Sequence, residues 1–235
     1  MILISAVFYA ATPGKEKLRV KMVVHYKKMR NDSTEYFYNP DGRISRIQNS
    51  GKTAFNTTYN YLPGIILRKY QDNAGTVGFV DTLFLNKSGM VIKTTSNNNV
   101  ISPLKHQYDT SAQLIKSIHL DKAGKEGAYT SNSYSKGNKI AYTSYDASGK
   151  ETGKGSYEYY TDKPNTIGNR NTGMDFAGVD SKNAEKSGSY QQTGMQPFSY
   201  TCEYKYDEQS RISIRTQYDG ATGKLKDSAS YTYYP

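Results

Sequence analysis

One unit of strands and turns repeats through this chain, and it leaves few folds open. Its fullest copy is the last, EYKYDEQSRISIRTQYDGATGKLKDSASYTYY, from Glu203 to Tyr234. Tyr204 and Tyr206 fall on one face by the two-residue period of a strand, and after a turn at Asp207 to Ser210 so do Ile212, Ile214, Thr216 and Tyr218. A second turn, DGATGK, leads into a third strand. There Leu225, Ala229, Tyr231 and Tyr233 alternate with Lys226, Ser228, Ser230 and Thr232.

Earlier copies are more worn. TEYFYNPDGRISRI turns at Asn39 to Gly42, where Asn, Pro, Asp and Gly each supply turn geometry. YNYLPGIILRKYQDNAGT, LFLNKSGMVIKTTSNNN and HQYDTSAQLIKSIHLDKAGKE follow, then NSYSKGNKIAYTSYDASGKETGKGSYEYY with Gly137 and Gly149 at its two turns. Successive first turns, near Gly42, Gly64, Gly89, Ala112, Gly137 and Pro164, lie about 22 to 27 residues apart, the length of two strands and two tight turns. The expected fold is therefore all-β: an antiparallel meander of about seven hairpin repeats. A single sheet of about fourteen strands accumulates twist, so it is expected to curve or roll up.

The repeat makes residues 15–235 one domain. The core it can build is thin in aliphatics, because hydrophobic residues make up 36% of the chain and 23 of them are Tyr, with no Trp. Tyr covers apolar surface with its ring while its hydroxyl finds a polar partner. Residues 1–14 carry an apolar run, MILISAVFYAA, too short to span a bilayer as a helix, which needs about 20 residues. It reads either as the stump of a secretory signal or as a first buried strand. The following KEKLRVKMVVHYKKMR alternates Leu18, Val20, Met22 and Val24 with Lys17, Arg19, Lys21 and Val23, as an edge strand guarded by lysines would, or as a ridge that binds anions would. One stretch, residues 165–198, is rich in Gly, Asn and Ser and interrupts the rhythm. A loop of that length is expected to be a functional or capping insertion.

The recurring YxYDxxGRIxxI pattern resembles the YD repeats of the RHS family, whose tandem hairpins form β shells. From about Thr34 to Tyr234 the chain is also similar to uncharacterised envelope lipoproteins of Bacteroidota, in which such hairpins are interrupted by a segment like DFAGVDSKN, here Asp175 to Asn183. That resemblance implies export to the periplasm, the outer-membrane surface or the medium, and no assigned activity. The family usually bears a lipidated Cys after its signal; no Cys follows the apolar run here.

Catalytic signatures are few. His25, His106 and His119 show no metal-ligand spacing, and Gly51 to Thr53 lacks the upstream glycine of a phosphate loop. The lone Cys202 sits in a Tyr-rich strand, as a packed side chain would. The turn aspartates Asp41, Asp72, Asp121, Asp146 and Asp219 read as turn caps without the spacing of a calcium loop. No enzyme, metal or cofactor is expected. A net charge of +10 favours anionic partners. An anionic or glycan envelope component is the expected ligand, and nucleic acid is not. The expected function is that of a non-catalytic binding or structural protein of the bacterial cell envelope; a glycan or peptidoglycan module using tyrosine faces is one alternative, and a hydrolase with its site in the 165–198 loop is another. Candidate ligand residues are Arg170, Phe176 and Tyr190 in the insertion, with Tyr157, Tyr159, Tyr204 and Tyr206 flanking it. Arg170 offers a planar fork to an acid, and the rings offer apolar faces.

Overall fold

The computed structural model of the chain describes residues 19–27, 30–50, 55–72, 74–98 and 101–235. The expectation for residues 1–14, and the side chain of His25, lie outside the described residues. Sixteen strands follow one another: β1 (Val20–Lys27), β2 (Arg30–Tyr38), β3 (Ile44–Asn49), β4 (Asn56–Leu62), β5 (Ile65–Gln71), β6 (Val77–Leu85), β7 (Val91–Ser96) and β8 (Leu104–Tyr108). The second half comprises β9 (Leu114–Leu120), β10 (Glu126–Ser135), β11 (Asn138–Tyr145), β12 (Glu151–Pro164), β13 (Asn183–Gln192), β14 (Phe198–Tyr206), β15 (Ile212–Asp219) and β16 (Leu225–Tyr233). Each pairs antiparallel with its sequence neighbours, and β16 pairs with β1 through Val20↔Tyr233, Met22↔Thr232 and Val24↔Ser230. The sheet is thus a closed sixteen-stranded barrel, where the sequence had suggested a curved or rolled sheet of about fourteen strands. Closure also removes the edge expected at the N-terminal strand, because β1 is paired on both sides.

The turns form for local reasons. Asp121 Oδ1 accepts from the backbone N–H of Ala123 and of Lys125, and Asp72, Asp109, Asp146 and Asp207 each bond the N–H groups two and four residues on in the same way. Gly42, Gly89, Gly137 and Gly149 occupy turns at positive φ, as the repeat predicts. Turns alternate between two rims of the barrel. At the first rim lie the Asn39, Gly64, Asn86, Asp109, Lys136 and Asp207 turns together with both described chain ends.

Strands joined by a turn at the second rim are left unjoined at the first, and in six such pairs a tyrosine ties them there. The hydroxyl of Tyr61 donates to Ile44 O at 2.9 Å, Tyr108 to Val91 O at 2.9 Å, Tyr134 to Leu114 O at 3.1 Å, and Tyr159 to Lys139 O at 2.7 Å. Tyr38 to Val20 O at 2.6 Å and Tyr233 to Ile212 O at 2.8 Å complete the pattern. In these six hairpins the tyrosine is a staple between neighbouring strands.

A register shift accompanies the staples Tyr38, Tyr108, Tyr134 and Tyr159, at Phe37/Tyr38, Gln107/Tyr108, Ser133/Tyr134 and Glu158/Tyr159, and similar shifts fall at Phe84/Leu85 and Lys205/Tyr206. Such bulges reverse the phase of alternation. Hence Ile212 is fully buried, while Arg215, rather than Ile214 or Thr216, shares a face with buried Ala229. The simple alternation read for this strand is corrected accordingly. In β1 a shift between Val20 and Met22 leaves Val20 and Val23 as the buried pair in place of the strict Val20, Met22, Val24 series.

The two barrel faces differ in chemistry. In β14, Tyr200, Cys202 and Tyr204 face inward, and Thr201, Glu203 and Lys205 are exposed outside. The outer partners Lys116, Ser131, Thr143, Lys154 and Gln191 form one polar row across five strands. A short apolar row of Leu62, Ile65 and Phe84 interrupts this polar wall. Inside, two small aliphatic clusters, Val20/Val23/Ala229 and Ile66/Leu83/Val91, are supplemented by tyrosines. Two ion pairs join them, Arg68–Asp81 at 2.6 Å and Arg215–Asp227 at 3.2 Å.

Candidate functional site: a capped cavity in the barrel

Only residues 165–182 of the expected insertion are irregular. Asn183–Gln192 is strand β13, and residues 193–197 are an ordinary turn before β14. The strand was hidden by its own packing, because Gly188 stands where Tyr200 crosses its neighbour: a Cβ there would lie 2.5 Å from the Tyr200 hydroxyl. A large alternating residue, the usual mark of a strand, does not fit.

The irregular stretch caps the first rim. Val20 N–H donates to Asn171 O at 3.0 Å, Ile44 N–H to Gly173 O at 3.1 Å, Val179 N–H to Ala112 O at 2.8 Å, and Lys182 N–H to Gly137 O at 3.0 Å. Two hydroxyls add to these: Thr166 Oγ1 accepts from Ile212 N–H, and Ser181 Oγ from Lys139 N–H. The contacts reach β1, β3, the turns before β9 and β11, and β15, so the segment crosses the mouth. A 3-10 turn, Asp175–Ala177, drops Phe176 onto the Ile66/Leu83/Val91 cluster beside Tyr59. Gly173 passes so close to the rim that a Cβ would sit 2.7 Å from Ile44 N, and its φ of +69° is the left-handed conformation that glycine tolerates.

Behind the cap lies a cavity of about 490 Å³. Its aromatic wall is Tyr157, Tyr159, Tyr190, Tyr200 and Tyr204. Lys139, Arg215, Asp180 and Glu185 bring two charges of each sign, and Asn165, Asn183 and Gln217 bring amides. Tyr200 donates to Glu185 and meets the Tyr190 hydroxyl at 3.1 Å. Burial raises the Glu185 carboxyl above the usual carboxylate range, opposed by the Tyr200 bond and by Arg215 and Lys139. The carboxyl of Asp180, reached by solvent yet hemmed in by wall and cap, is raised as well, against the bond it accepts from Asn169 N–H. Burial lowers the Lys139 ammonium, against the attraction of Glu185. Burial pushes the Tyr159 phenol to about 12 and the Cys202 thiol to about 11, so at neutral pH both keep their protons.

Of the residues singled out from sequence, Tyr157, Tyr159, Tyr190 and Tyr204 meet in this cavity. Phe176 is packed in the cap, Tyr206 donates to Pro164 O at the rim, and Arg170 is exposed, its carbonyl accepting from Arg19. The charged residues of the cavity escaped the sequence reading because strand alternation without the rim bulges places them on no particular face. His106 bonds Ser117 within the wall, and among the described residues no group of three His, Cys, Asp or Glu could hold a metal.

No protein-family model matches the chain, and no curated protein is similar to it in sequence. Solved structures are similar in fold. A porin-like protein from Bacteroides uniformis superposes with a TM-score of 0.67 at 14% identity, over 91% of this chain and 96% of that one. A porin-like protein from Bacteroides vulgatus gives 0.62 at 12% identity, over 92% and 99%. The likeness to a Photorhabdus luminescens Tc holotoxin pore, with a TM-score of 0.33 over 13% of that chain, is too low to speak for a shared fold.

Proposed function

We propose that this is a non-catalytic binding protein of the bacterial envelope that takes a small polar ligand into the tyrosine-lined cavity of its barrel. The observation that carries this reading is the convergence of rings, amides and charges from β11 to β15 on one space that residues of the cap also line. Its volume falls within the range of about 300–1,000 Å³ usual for small-molecule sites. The envelope setting draws on the fold shared with porin-like Bacteroides proteins and on the resemblance of the hairpins to exported lipoproteins.

The barrel wall favours a place in water over one in lipid. A bilayer barrel turns apolar residues outward and polar ones inward. This one does the reverse along β14, and its long outer row of Lys, Ser, Thr and Gln would cost heavily at mid-membrane. Asp180 and Glu185 facing one cavity also favour a second reading, a hydrolase at the same place.

Thermal-shift screening against small sugars, amino acids, peptides and organic acids tests both readings, with each hit incubated and checked for breakdown products. At least one class should raise the melting temperature of the wild-type protein and fail to do so in Gln217→Trp, which fills the cavity. No class acting, or equal action on both proteins, would refute the binding reading; turnover of a hit would favour the hydrolase.

A further inference from the structure

The repeat supplies its own internal comparison. At the first rim, each staple closes on the carbonyl of a residue that opens a strand: Val20, Ile44, Val91, Leu114 and Ile212, with Lys139 at the same place in its repeat. Five of these six slots hold an aliphatic side chain, and in four of them it is buried to 5% exposure or less. The slot that holds a lysine is the one lining the cavity.

Nothing in the scaffold accounts for that cation. Its backbone makes the bonds the slot requires, N–H to Ser181 Oγ and carbonyl to the Tyr159 hydroxyl, and these are independent of the side chain. Among the described residues no carboxylate comes within ion-pair distance of its ammonium. Glu185 attracts it from across the cavity without forming an ion pair, and the Tyr142 and Tyr157 rings, each with its centroid 5.4 Å away, add to that, so the half-buried charge is compensated only in part. A lysine in an aliphatic slot, facing a cavity and short of a counter-ion, is placed to receive a negative group from outside.

Resting on the binding reading above, we infer that the cavity takes a sugar bearing a carboxylate, with Lys139 receiving the carboxylate and the tyrosine wall receiving the ring. A single negative charge fits better than a dianionic phosphate, because Asp180 and Glu185 share the space and would repel the second charge. The remaining lining, Asn165, Asn183, Gln217 and Ser181, offers paired donors and acceptors for hydroxyl groups, while the faces of Tyr157, Tyr190 and Tyr204 suit the C–H face of a pyranose.

The test is calorimetric titration with glucuronic acid, galacturonic acid and N-acetylmuramic acid, set against glucose, galactose, inorganic phosphate and alanyl-alanine. Lys139→Ile, which restores the aliphatic of the other slots, is the matched variant. At least one carboxylated sugar should bind tenfold or more tighter than its neutral counterpart, and in Lys139→Ile that advantage should vanish while the melting temperature holds or rises. Equal binding of acidic and neutral sugars would overturn the inference, and so would a destabilised Lys139→Ile that keeps its preference. If phosphate or the dipeptide binds in the cavity and no sugar does, the binding reading stands and this inference fails.

Discussion

The tyrosine staples can be weighed one at a time, and Tyr61 is the cleanest. Its hydroxyl donates to the carbonyl of Ile44, a residue with no exposed surface, while its ring packs beneath the Arg43 guanidinium at 4.1 Å from the centroid. Tyr61→Phe keeps the ring and its packing and removes the donor. The loss is a net hydrogen bond of about 1 kcal/mol, rising to about 3 kcal/mol if the Ile44 carbonyl finds no new partner in its dry surroundings. In a domain of this size each kcal/mol lowers the melting temperature by roughly 2–4 °C. The control is Tyr129→Phe, whose ring is stacked on Tyr145 at 4.6 Å between centroids and which should change stability by less than about 0.5 kcal/mol. Urea and thermal unfolding of both variants decide the matter: if Tyr61→Phe is no more destabilised than Tyr129→Phe, the hydroxyls do not hold the rim and the staple account is wrong.

Further predictions follow from burial and close approach. Tyr108, Tyr134, Tyr159 and Tyr233 are raised by burial from 10.0 to about 12, so the folded state keeps phenolic protons that the unfolded chain gives up; stability should be full below pH 10 and fall as pH rises toward 12. Tyrosinate absorbance and loss of β-sheet circular dichroism should then rise together, and phenols that all titrate near pH 10 in a still-folded protein would contradict this. Gly173→Ala drives a methyl against Ile44 N and imposes a left-handed conformation that costs about 1–2 kcal/mol before the clash is counted, so limited proteolysis should cut within residues 165–182 well before the barrel unfolds. Asp81→Ala leaves the Arg68 guanidinium without its acid inside the barrel and should cost about 3 kcal/mol in urea unfolding, whereas Arg68→Met combined with Asp81→Val should recover most of it.

What the sequence revealed is what local chemistry determines. Asp121 with its two backbone bonds, or Gly149 at positive φ, shapes a turn whatever surrounds it, so the hairpins could be counted before their partners were known. Closure was hidden, because nothing in VKMVVHYK or LKDSASYTY marks the strand that each will join at the opposite end of the chain. The rim bulges were hidden too, since an extra residue leaves the composition of a strand unchanged while turning Arg215 inward. That is why the tyrosines of the cavity were legible and its charges were not: rings could be picked out by type, but Lys139, Glu185 and Arg215 look like ordinary strand polars until the register is known.

The pairing of β1 with β16 fixes where the first and last strands end. Tyr234 N–H donates to Arg19 O at 3.0 Å, beside the Val20↔Tyr233 pair, so both strand ends leave the barrel side by side at the capped rim. A tether running from either one holds the barrel by its base, with the uncapped rim turned away from the point of attachment. The same adjacency makes the ends joinable. A short linker across them, with new termini cut at the exposed turn around Gly149, would give a permuted chain with every strand pair intact and its termini at the uncapped rim.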